Sequence, residues 1–247
     1  GALNGAALTL DETIRLWSRG LELVVVAVAD VSAGADVLMV RPTITDLSAL
    51  KGQRVAVELG GVSGIMLLKI LEVAGLGPDE VIKVDLPVDQ HAQAWSRGEV
   101  DASVCYEPTA SVIENSGGVR LFDSSDIPET IFDLLVVTRE TAKSKRRSVL
   151  DLVSAHFAGL QHMVRSMHDS VYRIADRQGI APDDVRAALA TVMLPDLAAN
   201  QRYLMASGRL ETVVRSLSRL MVEEGLITRA PEFQQLSDSS FLPRSAS

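Results

Sequence analysis

The chain has 247 residues, 47% of them hydrophobic and 23% charged, enough for one large core or two modest ones. A formal charge of −8 and a pI near 5.1 argue against nucleic acid as a partner, because phosphate recognition needs a concentrated basic face. The single cysteine, Cys105, excludes an internal disulfide, and no apolar run reaches the roughly 18–20 residues that span a bilayer.

In chain order, strands are expected at 6–9, 23–29, 36–40, 54–58, 81–85, 102–106 and 134–138, with a short edge strand at 119–122. Amphipathic helices at 11–18, 64–74 and 89–97 separate them. Thr9 or Asp11 can cap the first, and Gly75 closes the second. Such alternation reads as an α/β sheet containing parallel strands. Beyond Thr141 the pattern turns to helices at 145–167, 170–178, 183–191, 196–207 and 210–224, with Pro182 as a first-turn proline. The tail from Thr228 is expected to be an irregular strap. The basic run at 143–147 is expected to cap a helix start on a solvated face.

Two stretches about ninety residues apart echo each other: Gly1-Ala2-Leu3-Asn4 leading into 5–9, and Gly98-Glu99-Val100-Asp101 leading into 102–106. Each is a Gly-x-apolar-Asn/Asp turn feeding a buried strand that finishes on a hydroxyl, which suggests two similar lobes. In open α/β sheets ligands sit beyond the carboxyl ends of strands. Extended crossings at 36–42 and 133–138 divide the chain into lobe 1 (1–40 with 135–247) and lobe 2 (41–134), with a two-strand hinge.

The strongest local motif runs from Leu50 to Gly64: a turn, a strand, and a glycine-rich bend into a helix. Free N–H groups at that helix start could hold an anionic or strongly accepting ligand group, Ser63 adds a hydroxyl, and the glycines let the ligand approach the backbone, which makes Gly61, Val62 and Ser63 candidates. Tyr106 and Glu107 stand at another strand end, before Pro108; Glu58, Asp30, Ser32 and Thr9 occupy equivalent ends. The carboxylates Asp30, Glu58 and Glu107 without a basic neighbour favour a ligand with a cationic or donor-rich group. No metal site or cofactor is expected. His156, His162 and His168 recur every six residues and so turn around a helix, and His91 lacks a neighbour at ligand spacing. No nucleophile–base pair stands out, and Gly61-Val62-Ser63-Gly64 is one residue short of a nucleophile elbow. No enzymatic activity is expected, and Cys105 reads as a small buried filler.

The segments 5–12, 30–36 and 46–58, with 98–102, Tyr106-Glu107-Pro108 and 121–128, resemble the periplasmic solute-binding proteins of ABC importers for nitrate, sulfonate, taurine and thiamine-precursor ligands. The resemblance implies the type II periplasmic-binding-protein fold: two α/β lobes, a two-strand hinge, and C-terminal helices on lobe 1. It implies capture of a small polar molecule (sulfonate, nitrate, or a pyrimidine or amine) between the lobes. Thr9, Asp30 and Ser32 would contact it from one side, and Glu58, Gly61, Val62, Ser63, Tyr106 and Glu107 from the other. A membrane permease would be the partner of a monomer that is periplasmic or lipid-anchored outside the inner membrane. Against the family pattern the chain opens at the first Gly-x-apolar-Asn turn. The expectation is either a fragment or a lobe completed by another chain. Two alternatives stand beside this reading: a ligand-sensing module of a signalling protein, and an enzyme resembling the pyrimidine-precursor synthases of the same fold.

Overall fold

The structure, a computed structural model, describes residues 3–206, 208–231 and 236–244. Gly1 and Ala2 of the first echo, the expected helix end at Ser207, and 232–235 and 245–247 of the expected strap lie outside the described residues.

Among the described residues the strands are β1 (Gly5–Thr9), β2 (Leu23–Ser32), β3 (Val37–Val40), β4 (Arg54–Val57), β5 (Ile82–Asp85), β6 (Ala102–Cys105), β7 (Val119–Asp123), β8 (Phe132–Thr138) and β9 (Val192–Met193). The α-helices are α1 (Leu10–Ser18), α2 (Val62–Ala74), α3 (Val88–Ser96), α4 (Thr109–Asn115), α5 (Arg139–Ser144), α6 (Arg146–Arg165), α7 (Met167–Gln178), α8 (Pro182–Ala190), α9 (Leu197–Leu204) and α10 (Arg209–Glu223). They form two compact units, Gly1–Val31 with Phe132–Ser247 and Ser32–Ile131.

Unit 1 is built on a four-stranded sheet in the order β1-β8-β2-β9. β8 runs antiparallel to both of its neighbours β1 and β2. The valine-rich run from Val24 to Val28 is buried throughout, as a strand covered on both faces must be. α10 presents Leu210, Val213, Val214, Leu217 and Met221 inward, a helical stripe. α6 buries only Val149, Val153 and Phe157, one residue per turn, and leaves the rest of its surface to solvent.

Unit 2 is a five-stranded sheet in the order β5-β4-β6-β3-β7. β4 is parallel to β5 and β6, while β3 is antiparallel to β6 and β7. Side chains alternate across it with period two. Leu38, Val40, Val55 and Val57 pack with Met66, Leu67, Ile70 and Leu71 of α2. Val37, Met39, Ala56 and Cys105 face Trp95 of α3 and Ile113 of α4. The segment 36–40, expected as a crossing in lobe 1, is instead a central strand of this sheet. The chain leaves unit 1 after Val31 and returns at Phe132, not at the expected 40/41 and 134/135. The reason is that β3 makes its hydrogen bonds with β6 and β7.

The two echoes lead into strands of different surroundings: β6 is an inner strand parallel to β4, and β1 an outer strand antiparallel to β8. Asp101 accepts hydrogen bonds from the Arg54 main-chain N–H (3.0 Å) and from its guanidinium Nε (2.9 Å) and Nη2 (2.7 Å), locking β4 to β6 in register. Asn4, its counterpart ahead of β1, accepts from Lys145 Nζ at 2.9 Å. The basic run therefore does more than cap a helix on a solvated face. Arg146 also donates to the Ser240 hydroxyl at 2.9 Å and lies over the Phe241 ring, 4.5 Å from its centre.

Candidate functional site

In unit 1, pairing fixes a polar rim. Thr9 is opposite Asp133, and Asp133 is opposite Asp30, so three strands carry these side chains side by side on one face. Thr9 ends β1 and caps α1. Its N–H donates to Glu12 Oε2 at 3.0 Å, and its hydroxyl donates to Asp11 Oδ1 at 2.7 Å. Burial pushes the Asp11 carboxyl above the ordinary aspartate range, against the lowering effects of Thr9 and Arg15. Burial also raises Asp133, and the neighbouring Glu12 and Asp11 raise it further.

In unit 2, the carboxyl ends of β4 and β6 and the amino end of β3 form a second rim. Val57 leads into Glu58, whose Oε2 accepts from the Val88 N–H at 3.4 Å. Gly61 caps α2 and lies against the Glu58 side chain; a Cβ there would sit 3.5 Å from its carboxyl carbon. Val62 packs its side chain on the core, so what it and Ser63 can offer a ligand is main-chain N–H at a helix start. Ser63 is 2% exposed. Its hydroxyl accepts from the Glu58 N–H (2.9 Å) and donates to the Glu58 carbonyl (3.1 Å). That hydroxyl is committed to shaping the turn.

Ser32 is committed in the same way. It is 6% exposed and its hydroxyl meets Asp36 Oδ2 at 2.7 Å and Ser124 Oγ at 2.6 Å. Ser124 Oγ in turn accepts from the Gly34 N–H at 2.7 Å. Tyr106 and Glu107 are exposed at this rim. Tyr106 is 40% exposed, and burial, then Glu58, Asp36 and Asp89, hold its phenol above the ordinary range. Glu107 precedes Pro108 through a cis peptide bond; its Oε2 accepts from the Ser111 N–H at 3.1 Å, tying it to the first turn of α4.

Asp30, Glu58, Gly61, Val62, Ser63, Tyr106, Glu107, Ser32 and Thr9 thus all stand at sheet rims, Thr9 and Asp30 in unit 1 and the other seven in unit 2. The residues that sequence reasoning missed are Asp133, Asp36, Ser124 and Arg120. Arg120 places a guanidinium near the Gly34 carbonyl (3.4 Å), a basic group the sequence reading did not put at this rim. Among the described residues no group of three or more His, Cys, Asp or Glu could hold a metal ion. His91 is fully buried, with Nδ1 3.0 Å from Ser103 Oγ and Nε2 3.0 Å from the Leu86 carbonyl, a bridge inside unit 2. No described helix is long and apolar enough to cross a membrane.

With two acid-rich sheet rims in place, the comparisons define the class. The family model NMT1/THI5 like matches residues 4–166, and the chain belongs to this family. It is 23% identical over 238 residues to the taurine-binding periplasmic protein of Escherichia coli, covering 91% of this chain and 72% of that protein. It is 30% identical over 189 residues to a putative aliphatic sulfonates-binding protein of Escherichia coli, covering 72% of this chain and 58% of that protein. The crystal structure of the periplasmic aliphatic sulphonate binding protein SsuA from Escherichia coli superimposes with a TM-score of 0.79 at 22% identity, over 95% of this chain and 79% of that one. The architecture is the type II periplasmic-binding-protein fold. The desulfurization enzyme DSZB shares it, with a TM-score of 0.66 at 16% identity over 96% of this chain and 84% of that one. Fold alone therefore does not separate binder from enzyme.

Proposed function

We propose that this chain is the solute-binding component of an ABC importer and that its ligand is a small sulfonate carrying a cationic amino group. The observation that carries the reading is the turn from Glu58 to Ser63, where the N-terminus of the 13-residue helix α2 stands beside a carboxylate and the exposed Tyr106. A helix start favours an anionic oxygen cluster, while Glu58, Asp36 and Asp89 around Tyr106 favour a positive charge. A zwitterion satisfies both demands. The similarity to taurine- and sulfonate-binding proteins supports the same class.

Within unit 2, Glu58, Gly61–Ser63, Tyr106 and Glu107 are proposed as ligand contacts; Thr9 and Asp30 are proposed as the ligand-binding positions of unit 1. Ser32 contributes by holding the 32–36 loop. Ligand binding selects the conformation that a membrane permease reads. An enzymatic reading has little support in the one thiol. Cys105 is fully buried, and burial pushes its pKa up to about 11, the opposite of an activated nucleophile.

The test is calorimetric titration with an aminosulfonate, the matching unsubstituted alkanesulfonate, nitrate and a pyrimidine. The aminosulfonate is expected to bind tightest. Glu58→Gln is expected to weaken it about tenfold, ~1.4 kcal/mol, with a smaller effect on the alkanesulfonate. Equal affinity for both sulfonates would overturn the amino-group assignment, and product formation from any of them would overturn the transport reading.

A further inference from the structure

The turn between β2 and β3 is held by a chain of hydrogen bonds that runs in one direction. The Ser32 hydroxyl donates to Asp36 Oδ2 at 2.7 Å, and its oxygen lies 2.6 Å from Ser124 Oγ. A serine hydroxyl has a single proton to donate. Ser32 gives its proton to the carboxylate, so Ser124 must donate to Ser32. The Ser124 oxygen accepts in turn from the Gly34 N–H at 2.7 Å. The order Gly34 N–H, Ser124 O–H, Ser32 O–H, Asp36 carboxylate is thus fixed by proton count. Each link polarises the next toward the negative end, and the closing link is as short as a hydrogen bond to a charged oxygen.

Asp36 and Ser124 are buried together with Ser32. Main-chain bonds hold the same turn: the Ser124 N–H donates to the Asp36 carbonyl at 2.9 Å, and the Ser32 N–H donates to the Ile131 carbonyl at 3.0 Å. Gly34 has a φ of +115°, which favours glycine. The charged end of the chain lies beside the exposed tyrosine of the rim. Val37 stands opposite Cys105, so the next pair along β3 and β6 is Asp36 with Tyr106. After burial and Glu58, Asp36 is the next influence that holds the Tyr106 phenol above its ordinary range.

We infer that Asp36 sets the preference of the unit 2 site for a cationic group at Tyr106, and that Ser32 and Ser124 are positioning residues that aim its carboxylate there. The inference rests on the aminosulfonate reading above and deepens it. Ser124 acts on the ligand only through the chain that it completes, from a position 92 residues beyond Ser32.

Two substitutions separate charge from geometry. Asp36→Asn keeps an acceptor for Ser32 and removes the charge, whereas Ser124→Ala keeps the charge and breaks the chain. Each variant is titrated by calorimetry with the aminosulfonate and the matching alkanesulfonate. The Tyr106 phenol is followed by its absorbance change at alkaline pH and identified by its loss in Tyr106→Phe. Asp36→Asn is expected to cut the advantage of the aminosulfonate over the alkanesulfonate by about fivefold, the scale of one unit charge at contact distance in water. Ser124→Ala is expected to cut it less, in the same direction, and both are expected to bring the Tyr106 titration down. Ser32→Ala breaks the chain at its other link and gives the same reading if Ser124→Ala does not fold. A turn that serves stability alone would lower the urea midpoint and leave the affinity ratio and the phenol titration as in the parent; that result overturns the inference. A parent chain that binds the two sulfonates equally would instead overturn the aminosulfonate reading, and the inference with it.

Discussion

Hydroxyls at the two rims divide into those that shape the site and those that remain available, and the division follows from burial. Ser63 and Ser32 are almost wholly enclosed and have their hydrogen-bonding capacity filled by neighbours. Removing a buried acceptor strands its donor at a cost of about 1–3 kcal/mol. Ser63→Ala is therefore expected to lower the urea midpoint of unit 2, because the Glu58 N–H loses its partner. Its effect on ligand affinity should be smaller than that of Glu58→Gln, and calorimetry on the folded variant checks the order. Cys105 offers a further check at this scale. With its thiol pushed up to about 11 by burial and no exposed surface, it is expected to stay unreactive toward a disulfide reagent at pH 8 and to react fully once urea unfolds the chain. Rapid reaction in the native protein would contradict the packing described for β6.

Among the elements, Asn200 shows how the end of β2 is held. Its side chain is fully buried. Its Oδ1 accepts from the Val28 N–H at 2.7 Å, and its Nδ2 donates to the Val28 carbonyl at 3.1 Å and to the Pro195 carbonyl at 3.2 Å. The amide stands in for a neighbouring strand just before Asp30. Asn200→Leu leaves both Val28 groups unpaired in the core and is expected to destabilise unit 1 by roughly 2–4 kcal/mol, read as a fall in the urea midpoint by Trp17 fluorescence. Nothing in the sequence singles out this asparagine, because its partner lies 172 positions away. The alternation of strands and helices was legible, since β2 and α2 carry long apolar runs and Gly75 closes α2 in the left-handed conformation. α4 and α5 were not, because seven and six residues are too few to display a helical period. β9 has two residues and no pattern at all. At the rims, Thr9, Asp30, Glu58 and Tyr106 could be found by looking past the carboxyl ends of strands. Asp133 and Asp36 escaped that search because β8 and β3 run antiparallel to their neighbours and bring their amino ends to the rim.

At the scale of the whole molecule, the buried rim carboxyls of unit 1 and the Arg54–Asp101 pair of unit 2 respond oppositely to acid. Burial raises the carboxyls of Asp11 and Asp133 in unit 1 above 3.8. Between 3.8 and those raised values the folded unit binds more protons than the unfolded chain, so its stability grows as pH falls through that window and is lost as pH rises through it. In unit 2 the Arg54 guanidinium holds Asp101 below 3.8. That contribution is present above 3.8 and is lost as pH falls through the depressed value. The chain supplies its own reporters, because of its two tryptophans Trp17 lies in unit 1 and Trp95 in unit 2. Trp95→Phe leaves Trp17 to follow unit 1, and Trp17→Phe leaves Trp95 to follow unit 2. Urea titrations from pH 6 down to pH 3 are expected to move the Trp17 midpoint upward relative to the Trp95 midpoint. Asp11→Asn should remove part of the Trp17 response, since an amide can be buried without taking up a proton. Asp101→Asn should flatten the Trp95 response and lower that midpoint at pH 6. Parallel movement of both midpoints would mean that the carboxylates at the unit 1 rim are solvated, and a solvated rim would fit the packing of Asp11 against Thr9 and Arg15 no better than it fits the burial of its side chain.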